Sequence, residues 1–141
     1  MIAVFALLFL AANNQLTLDK VRAETNPLRR AKAAVEYAAI AERVAEQAGD
    51  KGDNALLKAS IADMVTAMEL ARDSFVASGK TPYHDPHTFK GAELQSHEIL
   101  HRLADLKDKL DVDQRPLLDE PIMKIEKIHD DWFYGIMGRK K

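Results

Sequence analysis

Residues 54–78 read NALLKASIADMVTAMELARDSFVAS, and the spacing of their apolar side chains decides the fold class. Leu57, Ile61, Met64, Met68, Ala71 and Phe75 recur at intervals of four and three, the repeat that turns one stripe of a helix into a bundle seam. Asp53 or Asn54 caps this helix and Gly79 ends it. Met64 and Met68 are read as gap-filling core rather than as ligands.

The same grammar extends in both directions. Upstream, Leu16, Leu18 and Val21 lie on a short polar segment, and Asn26-Pro27 opens a helix that runs to about Ala48, with Gly49 as its left-handed terminator. Ala33, Tyr37, Ile40, Ala41, Val44 and Ala48 form its inward stripe, while Glu42, Arg43 and Glu46 face away. Downstream, the loop GKTPYHDP (79–86) leads to Asp85-Pro86, which restarts a helix with the stripe Phe89, Ala92, Ser96, Ile99, Leu103, Leu106 and Leu110. A fourth helix begins near Asp113, tolerates Pro116 in its first turn and kinks at Pro121. Its stripe is Leu118, Ile122, Ile125, His129, Trp132 and Ile136. The expected class is all-α: an up-down-up-down four-helix bundle over residues 27–138, about 30–37 Å long. An N-terminal segment (14–26) precedes it and a basic tail (139–141) follows.

The chain has 141 residues, one domain's worth, with 47% hydrophobic and 30% charged side chains. Its net charge of −2 argues against binding nucleic acid. Neither half is a charged tail: ten basic and ten acidic residues fall in 1–80, ten and twelve in 81–141. The absence of cysteine closes off disulfides, thiolate zinc sites and thiol nucleophiles.

Met1 to Ala12 read MIAVFALLFLAA without a charge. About eleven apolar residues span ~16 Å as a helix, short of the ~30 Å core of a bilayer. Residues 1–13 are therefore expected to be a signal peptide rather than an integral membrane span, and the protein to be periplasmic or secreted.

One motif carries sharp chemistry on paper. His97-Glu98-Ile99-Leu100-His101 resembles the H-E-x-x-H motif of the zincin metallopeptidases. That resemblance implies zinc ligation by His97 and His101, Glu98 as general base, and a downstream carboxylate, here Glu120, as third ligand. Helical geometry opposes it. Taking the stripe from Phe89 to Leu110 as inward, His97 points about 120° away and His101 about 160° away, so both face water. Arg102 also stands where zincins carry an uncharged residue. Metal binding without catalysis is the second reading, because His84 and His87 bring four of the five histidines into residues 84–101. His87 and His97 are about 15 Å apart along one helix, so all four cannot meet on one ion in a monomer, which leaves two separate sites or one bridged across a homodimer.

His129 falls on the apolar face between Ile125 and Trp132, where Asp130 or Glu126 would satisfy a ring nitrogen. A histidine late in the last helix also resembles the periplasmic b-type bundle cytochromes in architecture, but residues 27–48 lack the early methionine such proteins place opposite it. Trp132, Phe133 and Tyr134 point about 100° apart, so one of them, Tyr134 by phase, is expected outside the seam, against Leu16, Leu18 and Val21 or as a partner-binding anchor.

The stretch Lys90 to Leu110, the turn Asp113-Gln114-Arg115-Pro116-Leu117, Ile128-His129-Asp130 and Gly135-Ile136-Met137 resemble exported bacterial all-helical proteins with no assigned function. The resemblance implies export and an all-helical fold. The expected function is an exported, non-enzymatic interaction or ligand-binding module without a cofactor, its partner an unidentified protein or small ligand. The alternatives are a histidine-based metal-binding protein and a small zinc-dependent hydrolase.

Overall fold

Capping side chains and left-handed glycines account for several of the helix ends. The computed structural model describes residues 15–138, and every regular element among them is helical. These are α1 (Leu18–Ala23), α2 (Pro27–Lys51), α3 (Asn54–Ser78), α4 (Pro86–Lys109), a 3-10 turn (Arg115–Leu118) and α5 (Asp119–Ile136). The expected leader and basic tail lie outside the described residues. No helix among the described residues is long and apolar enough to cross a membrane.

The segment around Leu16 and Val21 is not merely polar chain. Thr17 caps α1, its hydroxyl accepting from Lys20 N–H at 3.2 Å, and Val21 is buried. Asn26 caps α2 by accepting from Arg29 N–H at 3.0 Å, and Asp53 caps α3 by accepting from Leu56 N–H at 3.1 Å. Each satisfies an amide that the helix cannot. Asp85 departs from this pattern. It occupies the cap position of α4, but its carboxylate turns back to accept from Thr81 N–H at 3.2 Å and pairs with Lys80 at 3.7 Å, so it ties the loop instead.

Two expected boundaries move. Gly52, at φ 69°, ends α2 rather than Gly49, with Asp53 N–H donating to Ala48 C=O at 2.9 Å and Gly52 N–H to Gly49 C=O at 3.2 Å. Gly49 serves close approach: a Cβ there would lie 3.2 Å from Leu106 Cδ1 and 3.3 Å from Leu110 Cδ2. The last helix begins at Asp119 after the 3-10 turn, which places Pro121 in its first turn. There the missing N–H has no intrahelical acceptor to lose, so the expected kink has no cause.

The four long helices form two antiparallel hairpins laid side by side. In the first, Arg30 donates to Ser74 at 2.8 Å and Tyr37 to Asp63 at 3.4 Å, which sets α2 against α3. In the second, Lys107 pairs with Asp119 at 2.6 Å and Glu93 faces His129. Across the hairpins the neighbours run parallel: α2 meets α4 through Glu46 and Arg102, and α3 meets α5 through Phe75 and Trp132. The helices therefore neighbour one another in the order α2-α3-α5-α4. Residues 79–85 span up to ~23 Å when extended, enough to carry the chain across the bundle end.

The rings of Phe75, Phe89 and Trp132 close that end of the core, with centroids 4.3, 5.4 and 6.4 Å apart. Stripes on α3 and α4 are buried as expected. On α2 the phase differs. The inward residues are Ala31, Ala34, Val35, Ala38, Ala41, Glu42, Ala45 and Ala48, while Ile40 is 40% exposed and Glu42 fully buried. Alanines on several sides of α2 make its apolar phase degenerate, and contact with both α3 and α4 selects the face with the smallest side chains.

Candidate functional site

The HEILH residues sit on the solvent face of α4. His97, Glu98 and His101 are all exposed. Glu98 accepts from Arg102 Nε at 3.1 Å, and Arg102 also reaches Glu46 at 3.4 Å. His101 Nε2 is 3.8 Å from Asp105. Glu120 pairs with Lys124 at 3.1 Å and lines the groove between α3 and α5, apart from both histidines. His84 shares a 2.9 Å hydrogen bond with Thr81 in the loop, and His87 borders a dent near Lys32. Among the described residues, no three His, Asp or Glu side chains converge as they stand on a point that would hold a metal ion.

A different set of residues comes together at the boundary of α4 and α5. Glu93 (5% exposed) and His129 (9% exposed) face each other, with Oε1 3.6 Å from Nε2. Among the described residues neither His129 Nε2 nor Glu93 Oε2 has a hydrogen-bond partner, although both stand within ion-pair range of a neighbour. Asp130 Oδ1 lies 3.3 Å from His129 Nδ1, the role expected of Asp130 or Glu126. Lys90 Nζ is 3.7 Å from Glu93 Oε2. The His129 ring lies between Phe133 (centroids 5.9 Å, planes 17°) and His97 (5.8 Å, 42°). Sequence reasoning missed Glu93 because the stripe was traced through Ala92. The signal was there: Phe89, Glu93 and Ser96 also follow the four-three spacing, and all three are buried.

Phe133, not Tyr134, is the outward member of the aromatic run: Trp132 is buried, Tyr134 half-buried and Phe133 exposed. That placement lets Phe133 stack on His129.

Glu42 was also missed. Both its carboxylate oxygens are buried, without a hydrogen-bond partner among the described residues. Burial, and next the charge of Glu46, push its pKa up to about 7, against the opposing pull of Arg102.

A surface groove of about 580 Å³ lies between α3 and α5. Ile61, Ala62, Val65 and Leu117 contribute its apolar lining, and Lys58, Glu69 and Lys124 its polar rim. Glu69 is 3.9 Å from Arg72, and Lys124 is held by Glu120; Lys58 has no ion-pair partner among the described residues.

In comparisons with protein families, curated proteins and solved structures, nothing matches this chain.

Proposed function

We propose that this chain is an exported, non-enzymatic helical module that binds a small amphipathic carboxylate in the groove between α3 and α5. The observation that carries this reading is the groove itself, whose apolar lining ends beside the Lys58 ammonium, which has no ion-pair partner among the described residues. Its volume of about 580 Å³ falls within the ~300–1,000 Å³ common to small-molecule sites. Lys58 to Glu69 covers ~16 Å along α3, room for a medium-length acyl chain over Ile61 and Val65. Each Å² of apolar surface so covered contributes about 25 cal/mol, and Lys58 supplies a charge-assisted hydrogen bond to the carboxylate. The apolar run Met1 to Ala12 supports export. Engagement of Glu98 with Arg102 and of His101 with Asp105, on a solvent face rather than in a cleft, supports the non-enzymatic part.

Titration with decanoate, followed by methyl NMR, tests it. Shifts are expected at Ile61, Val65 and Leu117, with Lys58→Glu weakening binding about fivefold or more, the equivalent of ~1 kcal/mol. Absence of shifts at millimolar decanoate, or shifts confined to other faces, would overturn the reading.

A further inference from the structure

We propose that the Glu42 carboxyl is a proton-operated catch on the seam between α2 and α4. Protonated, it stays in the core and the two helical hairpins stay closed on each other; ionised, it takes up water from the seam, and the hairpins part there while each remains paired within itself. The inference does not rest on the groove between α3 and α5.

The place of the carboxyl carries it. Glu42 is fully buried, and among the described residues neither of its oxygens receives a hydrogen bond. A neutral carboxyl tolerates such a site, whereas a carboxylate without donors is strongly disfavoured there, and water is its nearest remedy. The charges that act on it come from both sides of the seam: Glu46 and Arg43 on α2, and Arg102 on α4. Arg102 is already committed, its guanidinium lying 3.4 Å from Glu46 and 3.1 Å from Glu98. Burial first, then Glu46, outweigh the two arginines and place the change of state near pH 7.

The seam itself is loosely built. Two surface concavities lie along it, one of about 460 Å³ bounded by Arg43, Glu46 and Arg102, and one of about 310 Å³ bounded by Val35 and Ala92. The first ends at the very side chains whose charges act on Glu42, so water has a short way in. The buried face of α2 is mostly alanine, and little apolar area there resists separation. Within the first hairpin, by contrast, the Arg30–Ser74 and Tyr37–Asp63 hydrogen bonds tie α2 to α3.

Because the chain has no cysteine, single introduced thiols report cleanly on each face. Val35→Cys stands on the seam, buried and two turns before Glu42 on the same side of α2, while Ser74→Cys is buried inside the first hairpin. Each thiol's rate of modification in the full chain is divided by its rate in the urea-unfolded chain at the same pH, which cancels the thiol's own ionisation. Protection of Val35→Cys should fall about tenfold between pH 6 and pH 8, the change produced by a carboxyl that titrates near 7 in the closed seam and near 4.5 in the open one. Adding Glu42→Gln should make that profile flat. A local opening exposes little surface, so low urea should leave Val35→Cys almost unchanged; Ser74→Cys should be at least tenfold better protected and lose protection steeply with urea. Ala92→Cys, across the seam, should repeat the Val35→Cys result and guards against a folding defect in the first variant. Equal protection and equal urea dependence of the seam and hairpin thiols would overturn the catch, since only whole-domain unfolding would then be at work. So would a pH dependence that survives Glu42→Gln, or none in the parent.

Discussion

Glu93 and His129 confront one another across the α4–α5 interface with 3.6 Å between Oε1 and Nε2, each at least nine-tenths buried. Removing one member of such a pair leaves the other desolvated and alone, which costs about 3–5 kcal/mol, whereas apolar replacement of both is near neutral or stabilising. Urea unfolding should therefore show Glu93→Ala and His129→Ala each strongly destabilised, and Glu93→Met/His129→Leu close to the parent. Single variants no worse than the double would mean the two side chains are not coupled.

Glu42 makes stability fall with pH. Its folded pKa of about 7 lies above the ordinary 4.5, so between those values the folded state holds more protons than the unfolded state. Its unfavourable contribution is absent below pH 4.5, grows through the window and levels off above 7, by about 3 kcal/mol. Glu42→Gln should remove this component from a series of denaturation curves between pH 4.5 and 8. A pH profile identical to the parent's would show that Glu42 ionises normally.

Gly135 holds the crossing loop against α5. A Cβ at this position would meet Pro82 Cβ at 2.6 Å and Cγ at 3.0 Å, and a proline ring cannot swing aside. Overpacking of this kind costs about 1–3 kcal/mol, so Gly135→Ala should lower Tm despite alanine's better helix propensity. Pro82→Gly in the same background should restore part of the loss.

Helix α2 should respond oppositely at its two glycines. Gly52 has φ 69°, a conformation that costs an L-residue about 1–2 kcal/mol, so Gly52→Ala is destabilising by that amount. Gly49 is helical, and the atoms a methyl would meet are the tips of Leu106 and Leu110, which can yield by a few tenths of an ångström. Gly49→Ala should be neutral or mildly stabilising in thermal unfolding.

Glu98→Gln and His101→Ala should each change stability by no more than about 0.5 kcal/mol, because both side chains stand in solvent within helix-surface ion pairs. A loss above 2 kcal/mol in either would place the motif inside the fold rather than on it.

Much of this architecture was legible in the residue pattern. The seam of α3 and that of α4 were readable because large apolar side chains alternate with charged ones, so only one phase buries the former. Asn26, Asp53 and Gly79 marked helix ends for local chemical reasons that need no partner. The phase of α2 was not readable, since its alanines allow several inward faces. Nor was the choice between Gly49 and Gly52, since either glycine can adopt the left-handed conformation that ends a helix. The cap-then-proline start at Asp85 was located correctly, but loop contacts took its carboxylate.

The candidate sites divide the same way. The outward direction of His97 and His101 followed from 100° per residue, a property of one helix. The pairing of His129 with Glu93, thirty-six residues away, did not, because no local period links α4 to α5. By itself the amino-acid sequence determined an all-helical chain, most of its boundaries and two of its seams, because hydrogen bonds within a helix and the period of apolar side chains are short-range. Only the tertiary structure decided the α2-α3-α5-α4 order, the burial of Glu42 and the meeting of Glu93, His97 and His129, because each follows from how separate helices share one core.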